Sequence, residues 1–139
     1  MNKKILLVYP EIPLTYWSFR YSLEFIGKKT VFPPLGLLTV AAMLPEDWEV
    51  DLLDLNISSL NSTMIPDYDM VFVSAMLVQQ ESFGQVTSMC KQHNVPVVAG
   101  GPYPTSLLQS IPDVDYFVLN EAEVTLPIFL HDLQSGTLQ

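Results

Sequence analysis

Cysteine is nearly absent from this 139-residue chain, with Cys90 standing alone. One thiol excludes an internal disulfide and any site built on several cysteines within these residues, and it makes a reducing, cytoplasmic setting the expectation. Cations are also scarce. Six Lys and Arg face fifteen Asp and Glu, a formal charge of -9. A basic pair such as Lys28-Lys29 is too small to follow a phosphate backbone, so nucleic acid is excluded as a partner. No apolar run approaches the roughly 20 residues of a membrane span. The longest, Leu35 to Leu44, is bracketed by Pro33-Pro34 and Pro45. The opening Met1 to Pro10 places basic residues before apolar ones, as a signal peptide does, but its apolar run is short, is closed by Pro10 and leads to no small-residue cleavage site. A Walker loop and the dinucleotide glycine fingerprint are missing as well.

What the chain does have is apolar bulk. Hydrophobic residues make up 49% and charged ones only 15%, a balance that suits a sheet covered on both faces. Five runs of strand length stand out: Lys4–Tyr9, Glu49–Leu53, Met70–Val73, Val95–Ala99 and Tyr116–Leu119. Helices are expected over Leu35–Leu44, entered through Pro-Pro, over Gln80–His93, with Phe83, Val86, Met89 and Cys90 on one face and Asn94 as the stop, over Thr105–Ser110, and over Glu121–Leu133, with Leu126, Phe129, Leu130 and Leu133 together. The stretch from Asp54 to Pro66 is rich in turn formers and reads as loop or irregular helix. Alternating strands and helices predict one α/β domain over residues 1–139. It is a three-layer, Rossmann-like or flavodoxin-like doubly wound sheet of five parallel strands in the order 2-1-3-4-5. The segment from Glu11 to Pro34, carrying Tyr16, Trp17, Phe19, Tyr21, Phe25 and Phe32, is long for a connection. It reads either as a satellite cluster on the sheet edge or as a lid facing a ligand or another domain.

Ligands in such sheets bind at the carboxyl ends of the strands. Those ends are Tyr9-Pro10-Glu11, Asp54-Leu55-Asn56, Ser74-Ala75-Met76, Gly100-Gly101-Pro102 and Asn120-Glu121-Ala122-Glu123. A phosphate-accepting receiver domain needs acidic residues after strand one, an Asp after strand three and a Lys after strand five, where this chain has Glu11, Ser74 and Asn120. A flavodoxin needs a phosphate loop where Pro10-Glu11-Ile12-Pro13 offers few N–H groups. Ser74, a small hydroxyl ending the central strand, stands beside the double glycine that ends the next one, and together they predict a narrow slot between strands for a planar group. On that reading a branched side chain at Gly101 fills ligand space and leaves folding intact. Binding, with no catalytic residue and no metal ligand in the chain, is the expectation. Each residue also has a purely structural reading. Asp54 and Asn56 suit an Asx turn, Ser74 a helix cap, Glu121 and Glu123 the positive end of a helix.

The order of motifs resembles the N-terminal cobalamin-binding domain of radical S-adenosylmethionine enzymes, the group of anaerobic magnesium-protoporphyrin IX monomethyl ester cyclases and hopanoid methylases. The matching stretches are Phe32-Pro33-Pro34-Leu35-Gly36-Leu37-Leu38, Asp54-Leu55-Asn56, Val73-Ser74-Ala75-Met76, Gly100-Gly101-Pro102-Tyr103-Pro104-Thr105 and Glu121-Ala122-Glu123, and the resemblance covers nearly the whole chain. It implies a corrinoid whose nucleotide tail enters the slot, with contacts at Ser74, Ala75, Met76, Gly100, Gly101, Pro102 and Tyr103, joined by Asp54, Asn56, Glu121, Pro10 and Trp17. Relatives with a cobalt-ligating His carry it after strand one, and Pro10 to Trp17 contain none. The resemblance therefore implies cobalamin in a base-off state with no His ligand. Asn120 stands where relatives usually have Gly. The radical enzymes also need three clustered cysteines for an iron-sulfur cluster, so S-adenosylmethionine, that cluster and the radical step are expected in a downstream domain of a longer enzyme. The competing expectation is a degenerate scaffold for docking, or a binder of another flat apolar ligand through Tyr16, Trp17 and Phe19.

Overall fold

The computed structural model describes residues 2–13 and 34–138; Trp17 and the aromatic segment around it lie outside the described residues. Five strands, β1 (Lys4–Tyr9), β2 (Glu49–Asp54), β3 (Met70–Ser74), β4 (Val97–Gly100) and β5 (Tyr116–Val118), pair in parallel in the order β2-β1-β3-β4-β5. The doubly wound sheet expected from the alternation of elements is the sheet observed. β1 shows why. Along it Ile5, Leu7 and Tyr9 join one core cluster, and Leu6 and Val8 join the other. A strand buried on both faces thus reads as an unbroken apolar run.

Helices α1 (Leu35–Met43) and α4 (Ala122–Ser135) cover the first face, packing Leu37, Leu126, Phe129 and Leu130 against Phe72 and Val98. On the second face α2 (Gln80–Gln92) lays Phe83, Val86 and Cys90 on Val71, Val73, Val97 and Ala99. A six-residue α3 (Pro102–Leu107) follows β4, and 3₁₀ turns occupy Ser62–Asp67, Leu77–Gln79 and Leu108–Ser110. Burial, and then the charge of Asp115, push the Cys90 thiol up to about 12, so it stays protonated as a core group.

Beyond shifts of one or two residues at the ends of β2, β3, α1, α2 and α4, three elements differ from expectation, each for a local reason. β4 starts at Val97 because the Val95 N–H is bonded to the Cys90 carbonyl at 3.0 Å and Pro96 has no N–H. β5 stops at Val118, two residues before Asn120 turns left-handed at φ 62°. α3 begins at Pro102 and not Thr105, since Gly101 serves as its N-cap and proline suits the first helical position; the last turn, Leu108–Ser110, tightens to 3₁₀. Among the described residues no helix is long and apolar enough to cross a membrane.

Candidate functional site: a cleft at the carboxyl edge

The sheet register places Ser74 directly beside Gly100, and Gly100 beside Val118. Above these three strand ends α1 and α4 leave a cleft of about 290 Å³. Its walls are apolar, drawn from Leu37 and Val40 of α1, Leu126 of α4, and Phe72, Val98 and Val118 of the sheet. Polar groups gather at Ser74, Thr39, Asn120, Glu121 and Glu123. The Ser74 hydroxyl makes no hydrogen bond among the described residues, and the 3₁₀ turn that follows is capped by Met76 and Gln79, not by Ser74. A half-buried hydroxyl with no partner among the described residues is available as donor and acceptor for a ligand.

The two glycines at the cleft floor are held by the chain itself. Gly101 has φ 94° and ψ -179°, a region that only glycine enters readily. A Cβ there would stand 2.9 Å from the Ala75 carbonyl oxygen and 2.9 Å from Ser74 Oγ, and one on Gly100 would stand 2.9 Å from the Val118 carbonyl oxygen. The same close approach lets the Ala75 N–H donate to the Gly100 carbonyl at 3.2 Å and the Tyr103 N–H to the Ala75 carbonyl at 3.0 Å. The expectation that a branched side chain at Gly101 leaves folding intact is therefore corrected: it meets backbone before it meets any ligand. The cleft itself lies on one face of the sheet beneath two helices.

Of the residues expected at the site, Ser74, Gly100, Gly101 and Glu121 line the cleft. The others do different work. Pro10, Asp54 and Asn56 form a buckle between the loops after β1 and β2: the Ile12 N–H donates to Asn56 Oδ1 at 2.8 Å, and Asn56 Nδ2 donates to the Pro10 carbonyl at 3.2 Å and to Asp54 Oδ1 at 2.8 Å. Asp54 Oδ1 also accepts the Asn56 N–H at 2.9 Å, the Asx turn anticipated for it. Gln79, fully buried, extends the buckle by donating to the Pro10 carbonyl at 2.7 Å while its Oε1 accepts the Met76 N–H at 2.8 Å. Burial and the neighbouring Asp54 carboxylate raise the pKa of Tyr9 at the end of β1, so its phenol stays neutral. Tyr103 turns to the second face and meets Phe83 edge-on at 5.2 Å. Ala75, Met76 and Pro102 are not among the cleft-lining residues.

Sequence reasoning did not anticipate that α1 and α4 build most of the cleft. Gly36, Leu37, Thr39, Val40, Ala122 and Leu126 all line it. The signals for them were Gly36 inside an otherwise apolar helix, a position where glycine lowers helix stability, and the two resemblance-carrying stretches that hold Gly36, Leu37 and Ala122. Asn120, in the place of a glycine, keeps the left-handed turn and lines the cleft. Among the described residues no three His, Cys, Asp or Glu side chains converge on a metal position.

A small hydroxyl, two glycines and an apolar recess at the carboxyl edge of a β2-β1-β3-β4-β5 sheet define a ligand-holding α/β domain. The chain belongs to the B12 binding domain family, whose model matches residues 28–130. It is 37% identical over 135 residues to an uncharacterized methyltransferase of Synechocystis, covering 96% of this chain and 25% of that protein. It is 31% identical over 121 residues to the hopanoid C-2 methylase of Rhodopseudomonas palustris, covering 86% of this chain and 23% of that protein. The chain thus spans about a quarter of the length of these relatives.

Proposed function

We propose that this chain holds cobalamin with its nucleotide tail drawn into the cleft, away from cobalt, and presents the corrin face to a radical S-adenosylmethionine domain. The Ser74 hydroxyl, without a partner among the described residues and set at the floor of an apolar recess, carries this reading. The size of the recess supports it. Pockets that engulf a whole drug-sized ligand run from about 300 to 1,000 Å³, so about 290 Å³ suits a bicyclic base on a tail and not a macrocycle. Ser74, Gly100, Gly101 and Asn120 would surround the tail, while Glu121 and Glu123 at the start of α4 offer carboxylate acceptors to side-chain amides of the corrin. When bound, the cofactor supplies a cobalt centre able to carry a methyl group. This chain's own part is to bind, orient and shield. Both named relatives are methyltransferases, which favours methyl transfer over oxidative cyclisation as the reaction served. The radical step, with its S-adenosylmethionine and iron-sulfur cluster, falls to a separate domain of the same polypeptide, since Cys90 is buried and alone.

Incubation of the chain with hydroxocobalamin followed by desalting tests the reading. A coloured protein carrying about one corrinoid per chain, and a colourless Ser74→Leu variant that still melts cooperatively, are the expected results. A colourless wild-type protein points instead to a docking scaffold.

A further inference from the structure

Three glycines line the cleft, and they are glycine for different reasons. Gly100 and Gly101 have no room for a Cβ, because backbone oxygens would lie 2.9 Å away from it. Gly36 differs. Among the described residues an added Cβ there meets no atom within 4 Å, and the residue is not among their glycines with positive φ, Gly101 and Gly136. Neither packing against the described residues nor backbone geometry asks for glycine at this point. Local energetics argue against it, because Gly36 sits in the first turn of α1, where alanine would make a stronger helix. A missing side chain that the fold does not need leaves volume for something outside the fold.

That volume is part of the cleft. Gly36 shares its wall with Leu37 and Val40 on α1, opposite Val118 of β5 and Leu126 of α4. With only about 290 Å³ available, the space of a single branched side chain is a substantial part of the whole. We propose that Gly36 gauges the cleft: it keeps the width that a bicyclic aromatic base requires, and so determines which corrinoid tails the chain accepts. The inference rests on the cobalamin reading above and adds a specificity-determining residue to it.

The experiment titrates the wild-type chain, Gly36→Ala and Gly36→Leu with hydroxocobalamin and with cobinamide, which has the same macrocycle and no nucleotide tail. Visible absorbance follows binding, and thermal melts follow folding. Both variants should melt no lower than the wild type, since each adds helix propensity in open space. The Kd for cobalamin should rise with side-chain size, by about tenfold or more for leucine, the scale on which overfilling a packed site acts. The Kd for cobinamide should stay within about twofold. A folded Gly36→Leu protein that binds cobalamin as tightly as the wild type overturns the gauge and leaves the cobalamin reading standing. Equal loss of both ligands also overturns it, because the residue then acts on the macrocycle. A Gly36→Leu protein that unfolds while Gly36→Ala binds normally shows that the space was structural, and wild-type binding of neither ligand removes the gauge together with the reading beneath it.

Discussion

Glycine-rich strand ends invite one explanation, and here a single residue type serves two purposes a few ångströms apart. Gly101 is required by the chain's own geometry: its φ of 94° suits glycine, and the Ala75 carbonyl oxygen occupies the space of a Cβ at 2.9 Å. Gly101→Ala is accordingly expected to lower unfolding free energy by about 1–3 kcal/mol, the usual penalty for holding a side chain in such a backbone region. Urea denaturation followed by circular dichroism measures it. A variant as stable as the wild type would show that the loop from Gly100 to Tyr103 shifts freely, against the two hydrogen bonds that pin it to Ala75. The opposite sign expected at Gly36 makes the pair informative together. The sequence shows Gly-Gly after a strand and a lone Gly within a helix, but it gives no view of what lies across the fold from either.

At the scale of elements, legibility followed periodicity and ended where elements meet. β1 keeps its expected bounds because an unbroken apolar run is closed by Pro10, and α2 ends within one residue of its expected stop, at Gln92, because its buried residues recur at helical spacing. The cleft was legible at its floor, where Ser74 and Gly100 follow from strand order, and illegible at its walls. Thr39, Val40, Ala122 and Leu126 are ordinary helix residues, and only the packing of α1 beside α4 turns them toward one space. The buckle of Pro10, Asp54, Asn56 and Gln79 was hidden for a similar reason. These residues are distant in sequence and come together only when β1, β2 and β3 lie side by side. Its role is testable through Asn56→Ala, which strips the Ile12 N–H of its side-chain partner and leaves the Pro10 carbonyl with Gln79 alone. Stability should fall by about 1–3 kcal/mol, and amide exchange should quicken at Ile12. Cobalamin retention should change little, because Asn56 does not line the cleft. Loss of cobalamin from a variant that keeps its stability would return Asn56 to the binding site.

At the scale of the whole molecule, both imidazoles of the chain stand away from the carboxyl edge, one at the far end of β4 and one well along α4. The sequence holds two histidines. His93 caps the C-terminal end of α2, just before β4 begins at Val97, and four strand residues then lead to Gly100, about 10 Å at the usual rise. His131 lies nine residues beyond the first residue of α4, about 13 Å along the helix axis. Its side chain is 80% exposed beside Asp132. Neither group would reach a ligand held over Ser74 and Gly100 in this fold, so on the proposed reading this chain would offer cobalt no imidazole. Loaded with cob(III)alamin at neutral pH, the protein should show the absorption of a form lacking a lower nitrogen ligand, and a His93→Ala, His131→Ala double variant should give the same spectrum. A nitrogen-ligated spectrum that persists in the double variant would mean that the benzimidazole stays on cobalt and the cleft is not its seat. One that vanishes in the variant would place an imidazole at the carboxyl edge, against the helix positions described above.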